Sequence, residues 1–241
     1  MSSPLWVISL FKSFGVETKS RLIWHTGNNL EFALILGGLF AVMILAAIIL
    51  GKETVFTSYK RILKCTGISG TDYLKQEGKA SVLLNMGING IFAMLLVLIV
   101  GGDLNGPTIG GIFTIVGFSS TGKHLFNIAP IMFGVILAST TKDWSITDPG
   151  ALLALLFSTT LAPVAGEFGV LAGLLAGYLQ SSVALNVGIL YDSMNLYNNG
   201  CSEGLSRSFL SRSSVPSVPG GHAQKATSLY RGRLSHFLCN F

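Results

Sequence analysis

The stretch Leu30–Gly51, LEFALILGGLFAVMILAAIILG, carries one charged residue, Glu31, in an otherwise uncharged apolar run. A helix rises about 1.5 Å per residue, so about 20 such residues match the ~30 Å hydrocarbon core of a bilayer. A soluble helix that is apolar on every face would have no side to show to water. The stretch is therefore a transmembrane helix, and lipid is the solvent for whatever packs beside it.

Composition agrees. Half of the 241 residues are hydrophobic and 11% are charged, with a mean hydropathy of +0.61, whereas soluble domains carry about 25% charged residues. The 29 glycines suit membrane helices, where small residues let backbones approach. Further apolar segments follow at Ala80–Gly102, Leu125–Thr140, Ala151–Ala165 and Phe168–Leu190. Asn105–Phe118 is apolar but short and broken by glycines, a half-helix dipping into the membrane. The expected fold is all-α, a polytopic transmembrane helix bundle with about five spans plus a short re-entrant or broken helix.

Three segments make up the expected domain organisation. Residues 1–29 hold an apolar run, Pro4–Phe11, followed by Lys12, Lys19 and Arg21. A signal peptide places its charges before the apolar run, so an interfacial amphipathic segment is expected instead. Residues 30–200 form the membrane domain. Residues 201–241, rich in Ser and Arg, have the composition of a disordered tail. Between the first two spans, Lys52–Lys79 holds six basic residues against Glu53, Asp72 and Glu77. The positive-inside rule makes that loop cytoplasmic. Counting spans onward puts Asp103 outside, the turn at Lys142–Asp143 inside, a turn at Gly166–Glu167 outside, and Tyr191 onward inside.

Few residues could carry chemistry. Gly117–His124, GFSSTGKH, has the spacing of a phosphate-cradling loop, but His124 stands where Ser or Thr would reach Mg²⁺. It is read as a water-exposed loop with Lys123 and His124 at the interface. Asn105-Gly106-Pro107-Thr108-Ile109-Gly110-Gly111 breaks a helix in apolar sequence, and half-helix ends inside a membrane offer N–H groups to a solute. Asn105, Gly106 and Thr108 are thus candidate substrate-binding residues, against the plainer alternative of a turn and a short packed helix. Tyr191–Gly200, YDSMNLYNNG, echoes that element. Asp192, Asn195, Asn198 and Asn199 join the candidates, because an Asn amide both donates and accepts; equally, they could end a helix. The carboxylates Glu31, Asp103 and Glu167 lie near span ends, where capping or snorkelling accounts for them. Gly169, Gly173 and Gly177 repeat at four-residue spacing, and Gly106 and Gly110 do so once, a pattern of close helix packing. The scattered cysteines Cys65, Cys201 and Cys239 make neither a metal motif nor a disulfide framework, so neither metal nor cofactor is expected.

The run Asn105–Pro130, with Leu161-Ala162-Pro163 and Asn195–Gly200, resembles an uncharacterised family of bacterial multi-pass membrane proteins over roughly Leu30–Gly200. The resemblance implies a location in the bacterial inner membrane, and no catalytic residue or substrate. Members continue past the Asn-Gly with another glycine-spaced apolar segment, whereas this chain departs at Cys201, as a truncated or frameshifted member would. Its paired Asn-Gly elements also look like the repeated halves of urea-type channels, which would imply a small neutral solute.

The expected function is therefore a channel or secondary transporter for a small polar solute. The rival is a non-transporting membrane scaffold or sensor that binds a protein or lipid partner through the basic loop. An enzyme is not expected, since the metalloprotease signature His-Glu-x-x-His does not occur. The expected partners are the lipid bilayer, the solute and possible further copies of the chain in a homo-oligomer. Nucleic acid is excluded because the charge of +5 is spread over loops and tail.

Overall fold

A computed structural model describes residues 28–67 and 73–187. The expected interfacial segment, the Tyr191–Gly200 element with Asp192, Asn195, Asn198 and Asn199, and the tail from residue 201 lie outside the described residues. Among the described residues all regular structure is helical. In chain order the helices are α1 (Asn29–Gly51), α2 (Thr54–Ile62), α3 (Tyr73–Glu77), α4 (Lys79–Ile99), α5 (Gly106–Phe118) and α6 (Leu125–Thr141). They continue with α7 (Pro149–Phe157), a 3₁₀ turn (Ser158–Leu161), α8 (Ala162–Phe168) and α9 (Val170–Val187).

Among the described residues, three stretches are long and apolar enough to cross a membrane: α1, α4 and the composite 149–168. The shorter apolar helices α5, α6 and α9 pack with them. Helix α1 makes the case for lipid most directly. Few of its residues are buried, and Leu34, Ile35, Val42, Leu45 and Ile49 all point outward. Its buried side is Leu36, Phe40 and Ala47, laid against α4. There Gly87 and Gly90 make room: a Cβ at Gly90 would lie 2.8 Å from the Phe40 ring.

Local sequence sets the helix ends. Asn105 caps α5 by accepting from the Thr108 amide at 3.1 Å, while Thr108 Oγ1 accepts from the Asn105 amide at 2.8 Å. Pro107 sits in the first turn, where its missing N–H costs nothing. In the composite span, Pro163 has no N–H for the carbonyl of Thr159, and the chain tightens to 3₁₀ over Ser158–Leu161 before α8 resumes. That span continues through Gly166 and Glu167 to Phe168. The turn expected at Gly166–Glu167 is instead made at Gly169, whose φ of 87° is left-handed.

The chain's direction through the bundle corrects the expected side of two loops. Helices α5 and α6 form a hairpin whose turn, Ser119–His124, meets Cys65 and Gly67 of the basic loop: His124 Nε2 is 2.8 Å from the Cys65 oxygen. A Cβ on Gly67 would lie 2.3 Å from the Gly122 oxygen. The hairpin returns, so Lys142–Asp148 lies at the end where α4 finishes, with Thr147 beside Gly101 and Leu152 beside Gly102. Lys142–Asp143 therefore sits at the Asp103 end, opposite the basic loop. The reason is that α5, only 13 residues long and about 20 Å in length, still carries the chain from one end toward the other, with the Ser119–Lys123 turn completing the distance. Helix α9 then runs alongside α6, from Gly173 beside Pro130 to Tyr178, whose hydroxyl is 3.0 Å from Thr141 Oγ1. It carries the chain away from the basic loop, not back to it.

The α6–α9 contact is set by glycine. A Cβ on Gly177 would lie 2.0 Å from the Ile131 oxygen, and one on Gly134 would lie 2.1 Å from the Leu174 oxygen. Gly173 is similarly enclosed by Ala165 and Pro130, whereas a Cβ added at Gly106, Gly110 or Gly169 would meet nothing within 4 Å. Close packing thus accounts for two glycines of the expected stripe, not for the pair in α5. Gly177→Ala or Gly134→Ala is expected to cost about 1–3 kcal/mol or more through backbone overpacking. Gly110→Ala should be neutral or stabilising, because Ala is the better helix former. Thermal unfolding of the detergent-solubilised variants checks both, and equal midpoints for G177A and G110A would refute the packing assignment.

Candidate functional site

The α5–α6 turn is the polar centre of the bundle. Its six-residue link, Ser119–His124, leaves helical geometry, so several peptide groups must find partners away from a helix ladder. Asn85 of α4 supplies them: its Nδ2 donates to the Ser119 oxygen at 2.7 Å and to the Lys123 oxygen at 2.8 Å. One turn on, Asn89 Nδ2 donates to Ser119 Oγ at 2.7 Å, and Ser119 Oγ in turn donates to the Ile115 oxygen at 2.8 Å. At the start of α6, Asn127 accepts from the His124 amide at 2.9 Å and donates to the Gly122 oxygen at 2.9 Å.

Lys123 projects inward, with 6% of its surface exposed. Its Nζ donates to Thr159 Oγ1 at 2.9 Å and lies 5.1 Å from the centre of the Phe118 ring. The hairpin turn therefore meets the 3₁₀ turn of the composite span, two interruptions of helix in contact. Lys123 and His124 do not form the water-exposed loop expected from the sequence. The carbonyls of Ser119 and Lys123 are bound by α4 from the inner side, which draws the turn under the basic loop and buries both side chains.

Two buried side-chain atoms in this hub have no hydrogen-bond partner: Asn89 Oδ1 and His124 Nδ1. Because a carbonyl only accepts, His124 Nε2 must carry the proton it gives to Cys65, which leaves Nδ1 as a bare acceptor. Burial pushes the His124 pKa down, partly offset by the hydrogen bond to Cys65. Cys65, a free thiol, is held above its usual range by burial and by nearby Glu77. Among the described residues no group of three His, Cys, Asp or Glu is placed to hold a metal ion.

Of the residues expected to bind substrate, Asn105, Gly106 and Thr108 stand together at the start of α5. Asn105 and Thr108 are buried and bonded to one another, and Thr108 Oγ1 also donates to the Asp103 oxygen at 2.8 Å. They lie one helix length from the hub. Asp103 accepts from Asn29 Nδ2 at 2.9 Å, which ties the start of α1 to the same end, while Glu31 and Glu167 are exposed. The hub residues Asn85, Asn89 and Thr159 escaped the sequence reading. Their signal was present: Asn85 and Asn89 recur at four-residue spacing on one face of an apolar span, and polar residues inside a span are functional candidates by default.

Asn85→Leu would leave the Ser119 carbonyl unpaired and the Lys123 carbonyl with only the longer 3.4 Å bond from Asn89 Nδ2, a loss of about 1–3 kcal/mol for the buried group left without a partner. A clear drop in the thermal midpoint is expected, and an unchanged midpoint would show that these carbonyls have other partners. A second prediction concerns pH. Because His124 is held below its ordinary value in the folded state, its contribution is intact above about pH 6.5 and is lost as pH falls below that, where the unfolded state binds the proton more readily. The wild-type midpoint should fall across that window more steeply than that of His124→Gln, whose amide keeps a donor without titrating. Parallel curves would exclude His124.

Comparison with curated proteins and with solved structures finds no match. A family model does match, over residues 51–212, from the end of α1 through the hub and past the Asn-Gly element. The chain is a member of the family described as protein of unknown function (DUF1576), and that match covers most of its length.

Proposed function

We propose that this membrane protein is a channel or secondary transporter for a small polar solute, and not an enzyme, with the hub around Asn89 and Lys123 as its recognition point. The observation that carries the reading is Asn89 Oδ1, an acceptor on a fully buried side chain, without a partner and adjacent to the polar turn. An unpaired buried amide oxygen costs about 1–3 kcal/mol, a cost that a passing donor-bearing solute or a water would relieve. Support comes also from the two interrupted helices that meet there, since broken helices free backbone groups that a solute can meet. Asn105, Gly106 and Thr108, one helix length from the hub, remain proposed solute contacts, as do Asp192, Asn195, Asn198 and Asn199. The bacterial inner membrane, implied by the family resemblance, is the proposed setting.

The test is osmotic swelling of proteoliposomes with a panel of small polar solutes: urea, glycerol, glycine and formamide. At least one should enter faster than into protein-free vesicles, and Asn89→Ala should cut that rate about tenfold, the effect of losing ~1.4 kcal/mol, at equal incorporation. Rates in the variant equal to wild type, or no solute above background, would sink the proposal. A second reading, a scaffold or sensor with a protein or lipid partner, is favoured by the exposed basic loop and would be left standing by the latter result.

A further inference from the structure

The basic loop is not a random coil of charge. Helix α2 buries Val55, Ser58 and Ile62 against the bundle. Its other side presents Phe56 and Lys60, and Lys64 follows in the turn after the helix, all three exposed and recurring at four-residue spacing. Lys52 precedes the helix, and α3 adds exposed Leu74 and Lys75. Arg61 clamps the assembly, its Nε donating to Glu77 Oε2 at 2.7 Å. The platform follows directly on the apolar end of α1, where Ile49 and Leu50 are 73% and 71% exposed. Lysines, outward aromatic and aliphatic side chains, and the end of a lipid-facing helix thus adjoin at one level.

We infer that α2 lies along the membrane–water boundary and binds the phosphate headgroups of anionic phospholipids through Lys52, Lys60 and Lys64, with Phe56 and Leu74 set into the acyl boundary. The charge selects an anionic partner, and the apolar residues on the same face select one that also offers a hydrocarbon layer. An amphipathic helix with long cationic side chains is built for that position: the stems lie in the apolar layer while the ammonium groups reach the phosphates. An acidic protein segment would satisfy the lysines but not the continuity with the lipid-facing end of α1. The inference is independent of whether the hub carries a solute.

The experiment uses the full chain in mild detergent, incubated with equal amounts of phosphatidylglycerol and phosphatidylcholine, and reads the lipids retained by native mass spectrometry. Phosphatidylglycerol should be retained in preference, and the preference should fall about fivefold for each platform lysine removed, measured in Lys60→Gln and in the double variant K60Q/K64Q. Lys142→Gln, at the opposite end of the bundle, should keep the wild-type ratio. All three positions are exposed, and gel filtration verifies that each variant is folded. A wild-type ratio near one would overturn the inference and leave an acidic protein as the remaining occupant. A double variant that keeps the wild-type ratio, or a K142Q variant that loses it equally, would overturn it as well.

Discussion

A peptide group that leaves a helix inside an apolar bundle has no water to turn to, and the structure is organised around one place where that happens. In the Ser119–His124 turn the chief partner is Asn85, whose single amide nitrogen holds the Ser119 and Lys123 oxygens. This ties α4, α5 and α6 through one side chain. The remaining contacts of the hub depend on the turn being held there. Asn89 reaches Ser119, Lys123 reaches Thr159 on the composite span, and His124 reaches the loop at Cys65. Such networks are strong when satisfied and costly when not.

Elsewhere the bundle is held by contact. Lipid tails are as apolar as the side chains they would replace, so helix association rests on packing and hydrogen bonding rather than on escape from water. That explains why the helices differ so much in burial. Helix α1 touches the rest along a narrow seam and is otherwise bathed in lipid. Helices α6 and α9 lie backbone against side at Gly134 and Gly177, a proximity that no larger residue would permit.

The long elements were legible in the sequence because their signal is length. Leu30–Gly51 and Ala80–Gly102 read directly as spans, and the structure has α1 and α4 there. The start of α5 was legible as a break for a local reason, Asn-Gly-Pro-Thr being the chemistry of a cap followed by a first-turn proline. The side of each later loop was not legible. That assignment depends on counting passages, and a 13-residue helix falls below any length rule while still carrying the chain between ends. The hub was hidden for another reason. A Lys-His pair beside Ser and Thr looks solvated in one dimension, and only the Asn85–Asn89 face, diluted among apolar neighbours, could have indicated what would cover it. The basic helix α2 was likewise seen as charge before it was seen as a surface with two faces.

At the basic end, three separate stretches of chain meet through main-chain atoms: Gly67 against Gly122, and Gly166 against Thr66. A barrier made of side chains leaks as rotamers flip, on the order of picoseconds to nanoseconds where they are exposed. A barrier made of peptide planes has no such rapid mode. It yields only when whole segments move apart together, a motion on the order of microseconds to milliseconds. Those three stretches are thus keyed to one another by main chain, and a side chain added at Gly67 or Gly166 would have to displace a whole segment to find room.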